Sequence, residues 1–188
     1  MKAARSLWRC VQPWLDPQRL VFVDETGAQT KMARLRGRAP RGQRLVAGVP
    51  HGHWKTITLV AALRCDAIAA PMVIDQAMNG QIFQLWVEQV LCPILRTGDI
   101  VVWDNLPAHK VAGAEAAITA VGASLLWLPA YSPDFNPIEL LFGKLKAHLR
   151  KAAARTVDHL WQEIGRILST VPPDECTNYF RHAGYVSV

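Results

Sequence analysis

Two short apolar runs, each followed at once by an aspartate, constrain the fold of this chain more than any other feature. Residues 20–23 are LVFV before Asp24, and residues 100–103 are IVVW before Asp104. Four consecutive apolar residues, rich in β-branched and aromatic types, predict a strand whose two faces are both buried. Because such strands lie in sheets covered by helices on each side, the pattern predicts an α/β fold.

The remaining sequence supplies the other strands and helices of such a fold. Apolar and β-branched segments predict further strands at about residues 54–63, 67–75 and 124–128. Apolar residues at helical spacing predict helices at about residues 3–15, 80–94, 110–121, 137–152 and 156–169. The order is three strands, then helix and strand in alternation, which predicts a mixed sheet flanked by helices on both faces.

Length and composition indicate one folded domain. The chain has 188 residues, of which 51% are hydrophobic, a content typical of globular proteins and unlike that of disordered chains. We divide it into a helical lead-in (1–19), a sheet-containing domain (20–170) and a C-terminal tail (171–188). No apolar run reaches the ~18 residues of a membrane span, and the N-terminus lacks the apolar core of a signal peptide. We therefore expect a cytoplasmic protein that is not associated with a membrane.

A basic segment between the first two strands accounts for the whole net charge of +6. It has no acidic residue and six cations, which are Lys31, Arg34, Arg36, Arg38, Arg41 and Arg44. Interruptions by glycine and proline exclude a regular amphipathic helix. A solvated loop is one interpretation. The other is an exposed irregular or hairpin arm that lies along the phosphates of a nucleic acid.

Three carboxylates are candidates for one site. Asp24 and Asp104 follow the two apolar strands, and Glu139 opens a predicted helix after a proline-rich loop. Acids at strand ends project into the crevice where α/β proteins bind ligands, and oxygen ligands suit Mg²⁺ or Mn²⁺. Each acid also has a structural interpretation. Asp24 could be a turn residue, Asp104 a helix cap, and Glu139 the third residue of a capping box that begins at Asn136.

The three blocks LVFVDET, VVWDNLPAHK and LPAYSPDFNPIELLFGKLK together resemble a known signature. It is the signature of bacterial insertion-sequence transposases related to the mariner group, which belong to the DDE superfamily of endonucleases. The resemblance extends over roughly residues 15–185 and includes the 34 residues between Asp104 and Glu139. This chain has Ala130 at a position where relatives often have proline, and this difference leaves the three acids unchanged.

The resemblance implies a ribonuclease H-like fold, with the DDE catalytic domain at 20–170. It implies that Asp24, Asp104 and Glu139 are the catalytic, metal-binding acids, holding Mg²⁺ or Mn²⁺, as two ions. Glu25, Asp75, Asp99 and Asp134 do not fall on catalytic positions, and we interpret Asp99 and Asp134 as turn residues. The implied activity is cleavage of DNA at transposon ends and strand transfer into target DNA.

The helix that begins near Glu139 predicts a second basic surface. At 100° per residue, Glu139, Gly143, Lys146 and Arg150 share one stripe beside the apolar stripe. We expect Lys146 and Arg150 to contact DNA phosphates, although an ordinary solvated face would look the same. Asn105 and His109 could position DNA, but we favour capping of the following helix. Trp8 and Trp14 precede the first strand and are candidates either for the core or for contact with a partner.

We expect these 188 residues not to include the end-recognition domain of a transposase. Only 19 residues precede the first predicted strand, too few for a helix-turn-helix unit. We expect a separate or frameshift-fused N-terminal helix-turn-helix protein, a homodimer on DNA, and association with the nucleoid. Two rival functions are a ribonuclease H-like nuclease that cuts without joining, and a catalytically silent DNA-binding remnant.

Overall fold

The computed structural model describes residues 2–34, 36–105 and 111–185. Its strands are β1 (Leu20–Gln29), β2 (Thr56–Leu63), β3 (Ile68–Ile74), β4 (Ile100–Trp103) and β5 (Ser124–Trp127). Its helices are α1 (Lys2–Val11), α2 (Gly80–Trp86), α3 (Ala112–Ala120), α4 (Ile138–Ala152), α5 (Val157–Ser169) and α6 (Pro173–His182). In the described part of the chain, no helix is long and apolar enough to cross a bilayer.

The five strands form one mixed sheet in the order β3-β2-β1-β4-β5. Strand β2 is antiparallel to both of its neighbours, β1 and β3, whereas β4 runs parallel to β1 and β5 runs parallel to β4. The parallel connections pass through α2 and α3, as crossovers between parallel strands require. This arrangement confirms the predicted fold class, an α/β mixed sheet flanked by helices.

Both faces of the central strands are buried, which explains their continuous apolar sequences. Along β1, Leu20 and Phe22 face a core completed by α1, α4, α5 and α6, and Val21 and Val23 face a second core with α2 and α3. All four side chains are fully buried. Since successive side chains of a strand point to opposite faces, a strand between two helical layers needs apolar residues at every position.

Strand β1 is longer than the apolar run predicted. It continues to Gln29, paired in register with β2 as far as Thr56. Beyond Asp24 the sequence returns to alternation, with Thr26 and Ala28 buried and Gly27 exposed. Asp24 therefore lies within a strand, opposite Ala61, and the interpretation of it as a turn residue is wrong.

The C-terminal segment forms a helix that contributes to the core. Cys176 and Phe180 of α6 are buried, and the rings of Phe22 and Phe180 meet edge to face at 5.3 Å. Tyr185, beyond the helix, packs at 4.8 Å from Phe22. Residues 173–185 thus cover the face of β1 that α4 leaves open.

The lead-in is also part of the fold, although α1 is mostly exposed. Trp8 is buried within this chain, and its ring stacks on Phe135 at 6.4 Å. Of the two alternatives for Trp8, the structure supports a place in the core of this chain. Trp14 is 86% exposed and remains open to contact with a partner.

Candidate carboxylate site

Two of the three acids come together because β1 and β4 are parallel neighbours. Phe22 pairs with Val102 across these strands, and Asp24 and Asp104 each lie two residues further along the chain. Side chains two residues apart in a strand share a face, so both acids emerge on the side covered by α4. Asp24 is buried within β1, and Asp104 follows the last residue of β4 and is half-buried.

The third acid reaches the same place through the packing of α4. Ile138, Leu141 and Phe142 are buried against the sheet, which fixes the first turn of the helix beside β1. Glu139 lies in that turn and is exposed to the cleft. The cleft has a volume of about 550 Å³, and its wall includes Asp24, Asp104, Asn105, Asn136 and Glu139.

Burial and neighbouring negative charge act together on Asp24. Burial is the largest cause that raises the pKa of Asp24, to about 8, and the Glu139 carboxylate is the second. Asp104 adds to the shift, whereas a hydrogen bond from the Glu25 backbone N–H, 2.8 Å from Oδ1, opposes it. A buried carboxyl whose pKa is raised by burial and by neighbouring carboxylates, in a cleft, is typical of functional sites.

The donor atoms of the cleft match the chemistry of a hard divalent cation. Mg²⁺ and Mn²⁺ bind carboxylate oxygens, and a cation would relieve the repulsion from Glu139 that adds to the effect of burial on the pKa of Asp24. Across residues 2–34, 36–105 and 111–185, no three acidic, histidine or cysteine side chains already stand in ligand geometry. The acids thus supply suitable donors on a shared cleft and not a closed coordination shell.

Asp134 and Asp99, which do not fall on catalytic positions, each form an ion pair outside the group of three acids. Asp134 forms an ion pair with Arg5, and Asp99 forms a buried one with Arg64. Asp99 is only 4% exposed, so the interpretation of Asp99 as a simple turn residue is incomplete. Asp75 is exposed beyond β3, in a different depression.

Among the described helices, α3 and α4 are not capped by the side chains of the cleft residues. Helix α3 begins at Ala112 with Val111 at its N-cap, so neither Asp104 nor Asn105 caps it. His109 lies outside the described residues. Helix α4 has no side-chain cap, and the side chain of Asn136 is used differently.

The sequence did not predict that Asn136 is part of the site. Its Nδ2 donates a hydrogen bond to Oδ2 of Asp24 at 2.8 Å, and both residues are buried. Its Oδ1 is also buried and accepts no hydrogen bond from the described residues, an arrangement that costs about 1–3 kcal/mol in a folded protein. Asn136 lies in the segment YSPDFNPIE, where the local pattern suggested only a helix cap, because its partner Asp24 is distant in sequence.

The predicted DNA-contacting residues are accessible. Arg34, Arg36, Arg38, Arg41 and Arg44 are all exposed, in a segment without regular structure. Lys31 lies at the base of this arm, with its Nζ 3.1 Å from the ring centroid of Trp54. Arg155 also contacts the start of the arm, where its Nη1 donates hydrogen bonds to the backbone oxygens of Thr30 and Met32 at 3.1 and 2.9 Å.

The basic stripe of α4 begins beside the cleft. Lys146 is half-buried and Arg150 is exposed, and neither forms an ion pair with another described residue. Lys144, on the next stripe, differs because its Nζ binds Glu175 of α6 at 2.7 Å. Lys146 and Arg150 therefore keep their charge available to an anion that crosses the cleft.

Fold and cleft together define a ribonuclease H-like domain with three acids on one cleft. Residues 19–161 match the family model described as DDE superfamily endonuclease, and the chain belongs to this family. A comparison with curated proteins found no match.

Solved structures with a similar fold come from Mos1 transposase. The catalytic domain of Mos1 mariner transposase superposes with a TM-score of 0.71 at 13% identity, covering 97% of this chain and 85% of that one. The Mos1 paired-end complex with the left transposon end gives 0.77 at 15% identity, with 97% and 57% covered. The Mos1 mariner paired-end complex with Mn gives 0.77 at 14%, with the same coverage. This chain thus spans little more than half of the chain in those complexes.

Proposed function

We propose that this chain is the catalytic part of a DNA transposase, which cleaves DNA at transposon ends and transfers the strand into target DNA. The observation that carries the proposal is the single cleft shared by Asp24, Asp104 and Glu139, in a domain of the DDE endonuclease family. Mos1 structures with transposon-end DNA have the same fold, which supports DNA as the substrate.

We propose that these three acids bind Mg²⁺ or Mn²⁺, as two ions. Mos1 structures described with Mn and with Mg support these metals. When bound, such ions activate an attacking oxygen and stabilise a leaving oxygen at phosphorus. Asp24 would offer its carboxylate from a fixed strand position, Asp104 from the neighbouring strand end, and Glu139 from the first turn of α4.

The reaction proposed has two steps at phosphorus. Water attacks a phosphodiester at the transposon end, the bond from phosphorus to the 3′ oxygen breaks, and a 3′-hydroxyl is released. That hydroxyl then attacks a phosphodiester of the target. A bond forms between its oxygen and the target phosphorus as a phosphorus–oxygen bond of the target strand breaks. No side chain of the protein needs to act as a nucleophile.

The basic surfaces are proposed to hold the DNA backbone. The six cations of the arm (Lys31, Arg34, Arg36, Arg38, Arg41 and Arg44) would follow one stretch of phosphates, since they are concentrated on an accessible segment without acids. Lys146 and Arg150 would contact phosphates close to the scissile bond, because their stripe continues from Glu139.

Reversal of both charges on the α4 stripe should weaken DNA binding in a salt-dependent way. Each lost phosphate contact is expected to reduce the magnitude of the negative slope of log affinity against log salt by about 0.9, so Lys146→Glu with Arg150→Glu should reduce it by about 2. Fluorescence anisotropy with a duplex across a salt series measures this slope. Lys151→Glu, on the same helix but off the stripe, is the matched control. An unchanged slope in the double variant would contradict the assigned contacts.

Partners and location follow from the proposed activity. We propose that an N-terminal helix-turn-helix protein, separate or fused by frameshifting, recognises the transposon ends. We also propose that the chain acts as a homodimer on DNA and is associated with the nucleoid. Sequence-selective binding of transposon ends by these 188 residues alone would contradict the first of these proposals.

The test of the proposed function is conversion of supercoiled plasmid to nicked circle on addition of Mg²⁺ or Mn²⁺, with a chelator as the control. A strand-transfer assay with a precut end then separates a transposase from a nuclease that only cuts. Lack of both activities, in the chain and in its fusion to an end-binding domain, would favour the alternative of a catalytically silent DNA-binding remnant. Retention of all three acids argues against that alternative.

A further inference from the structure

The segments that surround the family-matched residues 19–161 meet on the loop before Glu139. This loop contains a 3-10 turn, Pro133–Phe135, followed by Asn136. Arg5 of α1 binds Asp134 with both terminal nitrogens, Nη1 at 2.8 Å and Nη2 at 2.7 Å, and its Nη1 also donates to Ser132 Oγ at 2.8 Å. One guanidinium thus fixes two side chains of the loop in a geometry that only a planar, forked donor can supply.

Aromatic contacts fix the next residue of the loop. The Phe135 ring stacks on Trp8, and the guanidinium carbon of Arg5 lies 4.7 Å from the Phe135 centroid. Tyr185 donates its hydroxyl to the backbone oxygen of Phe135 at 2.6 Å and accepts from Nε1 of Trp8 at 3.1 Å. Phe135 is therefore held by its ring and its backbone, with α1 on one side and the C-terminal segment on the other.

The contacts continue from Phe135 into the cleft. Asn136 follows it directly, and its Nδ2 holds Oδ2 of Asp24 at 2.8 Å. The other oxygen of Asp24 accepts from the Glu25 N–H at 2.8 Å, so the two hydrogen bonds define how the carboxylate is turned. A displacement of the loop would release one of them while leaving β1 in place.

We propose that Asn136 is a positioning residue for Asp24, and that Arg5 and Trp8 act through Asn136 by fixing the loop that carries it. The first helix thereby contributes to the geometry of the carboxylate cleft without touching it. This inference rests on the proposed metal site, and groups that hold a metal ligand by hydrogen bonds typically change metal affinity about 10- to 100-fold when removed.

The test is a Mn²⁺ titration of the full chain, followed by electron paramagnetic resonance of the free ion. We expect Asn136→Ala to weaken Mn²⁺ binding by about tenfold or more. Arg5→Ala is expected to weaken it by a smaller factor, roughly three- to tenfold, and Arg5→Lys to recover part of the loss. Because Arg5 acts through Asn136, the double alanine variant should bind no more weakly than Asn136→Ala alone.

Two controls distinguish the loss of positioning by Asn136 from the loss of the metal site itself. Arg166→Ala removes an arginine–carboxylate pair of similar length, 2.6 Å, on α5 away from the cleft, and should leave the affinity unchanged. Asp24→Asn should remove most Mn²⁺ binding. Circular dichroism confirms that each variant is folded at the temperature of the titration, so a loss of affinity is not a loss of fold.

The outcomes are distinct. If Asp24→Asn loses Mn²⁺ whereas Asn136→Ala binds it like the wild type, the positioning role is wrong and the metal site stands. If Asp24→Asn binds Mn²⁺ normally, the metal site is wrong, and the positioning role with it. Additive losses in the double variant would show that Arg5 does not act through Asn136.

Discussion

Asp104→Asn is expected to reduce metal-dependent nicking of supercoiled plasmid at least about a thousandfold, equivalent to about 4 kcal/mol of activation free energy. The asparagine keeps the shape of the side chain but removes the negative charge that a divalent cation requires. Asp104 follows β4, the strand that pairs with β1, and lines the cleft together with Asp24, so the charge is lost from the cleft itself. Gel quantification of nicked circles over time, in Mg²⁺ and in Mn²⁺, measures the change.

Asp75→Asn is the matched control, because Asp75 also follows a strand of the sheet but lies outside the cleft. It should nick at the wild-type rate. Nicking by Asp104→Asn at a rate within about tenfold of the wild type would remove Asp104 from the proposed site. Equal losses in both variants would indicate a general effect of charge on DNA binding.

Asp99→Ala is expected to lower the free energy of unfolding by about 3–5 kcal/mol, because it leaves the buried guanidinium of Arg64 without its counter-charge. Arg64 and Asp99 are 7% and 4% exposed, and their ion pair joins the end of β2 to the turn before β4. Asp99 also accepts a hydrogen bond from the Arg96 backbone N–H at 2.8 Å. Urea denaturation followed by tryptophan fluorescence measures the loss.

The exposed pair of Asp16 and Arg19, 3.7 Å apart, provides the control. Asp16→Ala should change the free energy of unfolding by less than about 1 kcal/mol, as is typical of exposed pairs. Replacement of both Arg64 and Asp99 by leucine should cost less than Asp99→Ala, since no charge then remains buried. A loss below about 1 kcal/mol for Asp99→Ala would show that solvent reaches Arg64.

The sequence predicted the parts of the fold that depend on local patterns. The runs before Asp24 and Asp104 predicted two buried strands, because a strand covered on both faces needs apolar residues at every position. The helical spacing after Asn79 predicted about fifteen helical residues, and the structure has α2, a π-helical turn and a 3-10 turn over residues 80–94. The three acids were selected by a family resemblance, since each of them alone also fitted a turn or a cap.

The features that the sequence did not predict all depend on partners distant along the chain. Asn136 matched the pattern of a helix cap, but its side chain bonds Asp24, 112 residues away. Asp99 matched a turn residue, and only the fold brings it to Arg64. The tail was expected to be outside the domain, yet Phe180 and Tyr185 pack on Phe22 of β1. Local patterns cannot encode such contacts, because tertiary packing decides them.

Anomalous diffraction from crystals grown with Mn²⁺ is the measurement that would show whether Asp24, Asp104 and Glu139 together hold a divalent cation. We expect an anomalous peak within bonding distance of oxygens from all three acids, and its loss in crystals of Glu139→Gln. A well-ordered cleft without a peak, or a peak bound by other residues while the cleft stays free of Mn²⁺, would mean that the three acids do not form the metal site.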